Sequence, residues 1–171
     1  EQLVIYNIME GLMCQLPSGE LTNGVIEGYD VSADQLTYTF HLRDGMVWDD
    51  ADSTPVTAHD FVFAFQRIFN SIYPSPFASL YSAIRNSQQV LSGELGVQAT
   101  DDLTVVFTLS YADPSFLESL AHSSAMPCSQ KLFEAAGGRY GTSISQTFSN
   151  GPFTLMQWEN GNRIYLKKNS S

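Results

Sequence analysis

Residues 36–42, Leu-Thr-Tyr-Thr-Phe-His-Leu, alternate apolar and polar side chains without a break. Successive strand side chains point to opposite faces, so Leu36, Tyr38, Phe40 and Leu42 share one face and Thr37, Thr39 and His41 the other. Arg43-Asp44-Gly45 closes this strand, and a loop from Trp48 to Pro55 follows. Thr57 then stands where a helix N-cap belongs, with Asp60 three residues on. Behind it Phe61, Val62, Phe65, Ile68 and Phe69 recur at helical spacing. Strand 36–42 and helix 58–69 therefore each carry one apolar face that needs cover, and they are expected to pack on each other.

The rest of the chain extends this pattern. Leu3, Val4, Ile8 and Leu12 have helical spacing, which predicts a helix over 3–13 ended by Gly11. Pro17-Ser18-Gly19-Glu20 and Asn23-Gly24 read as turns. Tyr73-Pro74-Ser75-Pro76 breaks helix 58–69, and 77–92 reads as one or two short helices. Residues 97–109 read as a hairpin turning at Asp101-Asp102, with Val105, Phe107 and Leu109 alternating, in the same sheet as strand 36–42. Asp113-Pro114 opens a helix with Pro at its first position and Phe116, Leu117, Leu120 and Ala121 on its buried side. A short helix over 130–136 ends at Gly137-Gly138. The Ser/Thr-rich stretch 139–151 is a loop or a crossing between domains. Strands near 152–158 and 163–168 finish the chain, joined by an Asn160-Gly161 turn. Hairpins and helices mix without regular β-α-β alternation. The fold class is α+β, a mixed sheet with hairpins packed against several helices.

With 171 residues, 43% of them apolar, the chain can bury a core. Its net charge of −10 argues against nucleic acid as a partner, since phosphate binding needs clustered Lys and Arg. Cys14 and Cys128 are far apart and belong to no CxxC or Cys/His cluster, so they mark neither a zinc site nor a disulfide pair. No apolar run approaches the ~20 residues of a membrane span. The first residue is Glu1 rather than Met, which reads as an internal cut.

Candidate sites are few. His41, His59 and His122 are not at ligand spacing from one another, and His41 falls on the polar face of a strand. Asp49, Asp50 and Asp52 lack the spaced oxygens, central Gly and final Glu of a calcium loop. No GxSxG elbow, P-loop or GxGxxG is present. No catalytic residue, metal ligand or cofactor is assigned. The aromatics of helix 58–69 are core residues by spacing. Tyr73, Phe77 and Tyr81 flank the Pro-broken loop, where aromatics either anchor the following helix or meet a ligand. Phe77 and Tyr81 are the candidate ligand-binding residues.

The runs YTFHLRDGMVW (38–48) and TPVTAHDFVFAFQR (54–67) are accompanied, in order, by MEGL, SPFASLY, LGVQATDDLTVVFTLS and NGPFTLMQWENGNRIYLKKN. Together they resemble the solute-binding proteins of peptide and nickel ABC importers, in particular the oligopeptide-binding branch. The resemblance implies a periplasmic-binding-protein type II-like architecture in a three-domain protein about three times this length. Residues 10–129 would be its smaller second domain, and 1–9 and 130–171 parts of domain I. A peptide-pairing strand would lie upstream and the large third domain downstream. It implies capture of short peptides outside the membrane for an ABC permease, with membrane contact only through the permease or an upstream lipid anchor, as in a lipoprotein. Another solute on the same scaffold, such as a nickel chelate or sugar, or a signalling or chaperone-like surface, is the alternative. The resemblance places Phe77 near the peptide's amino end, where relatives often carry Tyr, so the phenol hydrogen bond is missing. The turn Trp48-Asp49-Asp50-Ala51-Asp52-Ser53-Thr54-Pro55 is longer than the family's and lacks its Gly. The chain alone is expected to fold but to bind peptide poorly, because a cleft between lobes needs both lobes.

Overall fold

The computed structural model describes residues 2–70, 72, 75–88, 94–159 and 161–169. The alternating segment is strand β4 (Thr37–Leu42), and the capped segment is helix α2 (Ala58–Ile68). Ahead of them come α1 (Gln2–Ile8), β1 (Met13–Gln15), β2 (Leu21–Asn23) and β3 (Ile26–Val31). After them come β5 (Val97–Asp101), β6 (Thr104–Thr108), α3 (Phe116–Leu120), α4 (Gln130–Ala135), β7 (Phe153–Glu159) and β8 (Arg163–Lys168).

The central sheet has the order β3-β4-β6-β5 and is antiparallel throughout. Strand β4 and the 97–108 hairpin thus share one sheet, as their unpaired apolar faces require. Tyr38 pairs with Phe107, and Phe40 with Val105. Those four side chains are all buried, and Phe40, Val105 and Phe107 have no exposed surface. Phe65 of α2 meets Phe107 edge-on at 5.0 Å between ring centroids, and Phe107 meets Phe40 at 5.7 Å. Burying each such ring stabilises the fold by roughly 1.5–3 kcal/mol. One continuous core runs from Leu12 to Ala125. A smaller cluster joins Trp48 and Val56 to Leu132, with Met9, Tyr140 and Phe148 against it.

Asp60 ties the loop before α2 to the helix start. Its Oδ2 accepts from the Thr57 backbone N–H at 3.0 Å and from Trp48 Nε1 at 3.1 Å. Burial of this carboxyl nevertheless raises its pKa above the ordinary value, outweighing the two donors. A raised folded-state pKa means that the native state holds the proton more tightly than the unfolded chain does. The stabilisation is complete below the unfolded pKa and is lost as pH rises through the folded one. The difference in unfolding free energy between wild type and Asp60→Asn, followed by urea titration, should therefore shift against the wild type across that window. A pH-independent difference would mean that Asp60 does not titrate differently on folding.

Several expectations need correction. The first helix ends at Ile8 rather than 13, and Leu3 is 80% exposed. Leu12 reaches the core from extended chain, because Gly11 and Leu12 offer their carbonyls to Val25 and Gly24 at 2.9 Å instead of continuing the helix. Strand β1 starts at the last residue of the expected helix, β2 runs into the expected Asn23-Gly24 turn, and β3 falls where no element was read; β3 is an edge strand with Tyr29 and Val31 substantially exposed, so it lacks the alternating signature. Helix α3 starts at Phe116, not at Pro114: Asp113 Oδ1 instead caps a turn, accepting from the Ser115 N–H and hydroxyl. Within 77–92, the described helical structure is one 3-10 turn over Ala78–Tyr81. Tyr73, Pro74 and Asn160 lie outside the described residues.

The long turn after Trp48 is closed by a bridge between Val47 and Pro55. Ser53 takes the left-handed conformation, φ 50°, where a glycine would be unstrained. Asp50 compensates by accepting from both the N–H and hydroxyl of Thr54 at 2.7 Å. Asp49 accepts from the Ser149 N–H and Asp52 pairs with Lys131 at 3.1 Å, so each acidic side chain of this loop has a structural partner. Cys14 and Cys128 are both free thiols.

Candidate ligand-binding site

A cavity of about 880 Å³ opens between α1, the last turn of α2, the 75–77 loop, the 123–128 segment and the β7–β8 ribbon. Its volume suits a small-molecule or short-peptide ligand. Its walls are mainly apolar: Ile5, Ile8, Met126, Phe148, Trp158 and Ile164 contribute, and several hydroxyls are interspersed.

Phe77 lines this cavity at the foot of the loop. Its ring lies 4.8 Å from that of His122 and 38% of the residue is exposed. Ser75 Oγ accepts from the Phe77 N–H and holds the loop in a tight turn. Tyr81, the other candidate, is placed elsewhere. The turn of 3-10 helix rotates it into the core, where it has no exposed surface and stacks edge-on against Phe65 at 5.0 Å. Its hydroxyl shares a 2.7 Å hydrogen bond with Ser124 Oγ and donates to the Ser119 carbonyl at 3.2 Å. Burial pushes its pKa up to about 12, so the phenol stays neutral. Tyr81 therefore supports the wall from behind.

Sequence reasoning missed the polar corner of the cavity, formed by Arg67, Cys128 and Tyr140. Arg67 comes from the last turn of α2 and its Nη1 donates to Cys128 Sγ at 3.2 Å. The guanidinium lies 4.1 Å over the Phe133 ring and 6.0 Å from that of Tyr140. Burial raises the pKa of both the Cys128 thiol and the Tyr140 phenol, which keeps them neutral at physiological pH. An arginine closing an apolar helix gives no local sign of this arrangement, because its partners are 61 or more residues away.

The histidines do not converge. His41 pairs with Asp30 at 3.1 Å, His59 with Asp102 at 3.5 Å, and His122 Nδ1 interacts with Ser124. Among the described residues no three His, Cys, Asp or Glu side chains are grouped to hold a metal, and no helix is long and apolar enough to cross a membrane.

Residues 20–171 match the model of the bacterial extracellular solute-binding proteins, family 5 Middle, and the chain belongs to that family. It is 36% identical to the periplasmic oligopeptide-binding protein OppA of Salmonella typhimurium, over 99% of this chain and 32% of the relative. It is 32% identical to the dipeptide-binding protein of Lactococcus lactis, over 95% of this chain and 31% of the relative. Among solved structures, the substrate-binding domain of an oligopeptide ABC transporter from Bacillus anthracis superposes with a TM-score of 0.92 at 35% identity, covering 99% of this chain and 34% of that one. Haemophilus influenzae OppA in complex with RPPGFSPFR gives 0.89 at 32%, again covering 99% and 34%. The fold is thus the periplasmic-binding-protein type II architecture of oligopeptide-binding proteins, a family of solute binders rather than enzymes. The chain spans about a third of the length of these relatives.

Proposed function

We propose that this chain serves in the extracytoplasmic capture of short peptides and their delivery to an ABC permease. It would contribute the smaller second domain, residues 10–129, and with 1–9 and 130–171 part of the first. The observation that carries this reading is an apolar cavity of peptide size with Phe77 at its edge, in a chain alignable almost end to end with proteins named for binding oligopeptides. The domain division draws support from the main core between Leu12 and Ala125 and from the separate β7–β8 sheet, and the small cluster of Trp48 and Val56 with Leu132 would join the two parts. No enzymatic step and no cofactor is assigned. Membrane contact would run through the permease or a lipid anchor. Calorimetric titration of the full-length gene product with di- to pentapeptides tests the reading; no binding of any peptide class would overturn it. The same titration on residues 1–171 alone should show markedly weaker binding, because the chain spans about a third of its relatives' length and a cleft between lobes needs both lobes.

Phe77 and Tyr81 divide into two roles under this reading. Phe77→Ala should weaken peptide affinity about tenfold, the scale of a lost half-buried aromatic contact, with little change in Tm. Tyr81→Phe should leave affinity unchanged and cost about 1 kcal/mol of stability, since it deletes a buried hydrogen bond. Peptide calorimetry and thermal melts on both variants check this. A large stability loss with intact affinity for Phe77→Ala would make that ring a core anchor instead.

A further inference from the structure

Strand β3 is an outer strand of the central sheet, paired with β4 on one side. Beside it the Ser32 N–H donates to the Thr37 carbonyl at 2.9 Å, and the register sets Asp30 opposite Thr39 and Gly28 opposite His41. Bonded pairs recur at every second residue of an antiparallel ladder, so the backbone groups of Tyr29 and Val31 point away from β4. Their side chains are 36% and 42% exposed. The strand is nevertheless firmly seated: Tyr29 pairs with Phe40 and Val31 with Tyr38, both core residues, and the Tyr29 ring lies 5.5 Å from that of Phe40.

The charge of this edge has one sign. Residues 10–129 contain 15 Asp and Glu against 3 Lys and Arg. Glu27 and Asp30 stand exposed on β3, and no Lys or Arg occurs anywhere in residues 11–42. Arg43, the next cation, is engaged with Glu10 at 3.3 Å. Charges and bulges on an edge strand ordinarily keep other strands away, and β3 has its bulge between Ile26 and Gly28. Here the charged guards are both acidic. They repel a second copy of β3, which would bring the two Glu27–Asp30 sets together, and they repel any acidic strand. They attract a strand that carries cations, and Tyr29 offers such a strand an aromatic face.

We propose that the free edge of β3 is a docking surface for a partner protein, which adds to the sheet an extended segment with Lys or Arg alternating with apolar residues. This surface shares no residue with the 880 Å³ cavity, and its occupant does not depend on the peptide-binding reading.

The test uses the full-length gene product and the blocked peptide acetyl-Lys-Val-Lys-Thr-Lys-Val-Lys-amide. Excess trialanine is present throughout, so that a probe seated in a peptide cleft is displaced. Hydrogen exchange with mass spectrometry locates the bound probe, which should slow exchange over residues 26–31 about tenfold. Glu27→Gln with Asp30→Asn should weaken binding about tenfold, and replacing every Lys of the probe by Glu should abolish it. Val31→Pro removes one outward N–H without breaking the β3–β4 ladder, and should abolish the protection. Thermal melts establish that the variants fold; should Val31→Pro not fold, the paired charge variant decides. No protection of residues 26–31, or equal binding of the Lys and Glu probes, would overturn the proposal. So would binding unchanged in the folded charge variant. A dimer in sedimentation that Val31→Pro dissolves would give the edge to a second copy and overturn it as well.

Discussion

Phe107→Ala is expected to cost about 3–5 kcal/mol of folding stability, the range for emptying a well-packed aromatic site. Phe107 has no exposed surface and sits on β6, an inner strand flanked by β4 and β5. Its ring meets Phe40 at 5.7 Å, Phe65 at 5.0 Å and Phe116 at 5.5 Å, so it joins the sheet to both α2 and α3. Each such pair adds roughly 0.5–1.5 kcal/mol beyond the area that it buries. The surroundings have little freedom to collapse into the space, because hydrogen-bonded ladders fix the strand on both sides. Against a typical domain stability of about 5–15 kcal/mol, this is a large fraction of the total, and the urea midpoint should fall accordingly. Urea titration at unchanged m value measures the loss. A cost below about 1.5 kcal/mol would mean that the core relaxes far more readily than this packing allows.

Gly24→Ala should cost about 3 kcal/mol, the upper part of the range for forced overpacking. A Cβ on Gly24 would lie 2.0 Å from the Gly11 carbonyl oxygen and 3.1 Å from its carbon. Neither partner is a flexible side chain. The two segments are held together by Gly24 N–H to Leu12 O and Val25 N–H to Gly11 O, each 2.9 Å, so relief of the clash would sacrifice those bonds. The crossing also seats Leu12 and Val25, both fully buried, in the main core. Gly19→Ala is the control. Gly19 has φ +88° with open space around it, so that substitution carries backbone strain of about 1–2 kcal/mol and no clash. Thermal melts of the two variants should separate accordingly. A Gly24→Ala protein as stable as wild type would show that the crossing opens freely.

The same contrast explains which elements were legible in advance. Strand β4, hairpin β5–β6, helix α2 with its Thr57–Asp60 cap, and α4 with its glycine stop are written in short-range periodicity and capping, which act within a few residues. Strand β3 carries no such signal, because as an edge strand it exposes Tyr29 and Val31 and takes its conformation from pairing with β4. Helix α1 was read too long because Leu12 fits the helical stripe, whereas its burial comes from the Gly11–Gly24 crossing.

For the cavity the division is sharper. Sequence alone determined that an aromatic loop follows α2 and that Phe77 and Tyr81 are its prominent rings. Only the tertiary structure decided that Phe77 faces the cavity while Tyr81 turns inward to Ser124 and Ser119. Both are aromatic residues four positions apart in one short segment, and nothing in their types distinguishes wall from core. The same holds for Arg67, whose meeting with Cys128 spans 61 residues. Periodicity records which face of an element is apolar, since that depends on the element's own geometry. What lies opposite that face is set by contacts between segments distant in the chain, and a cavity is made entirely of such contacts.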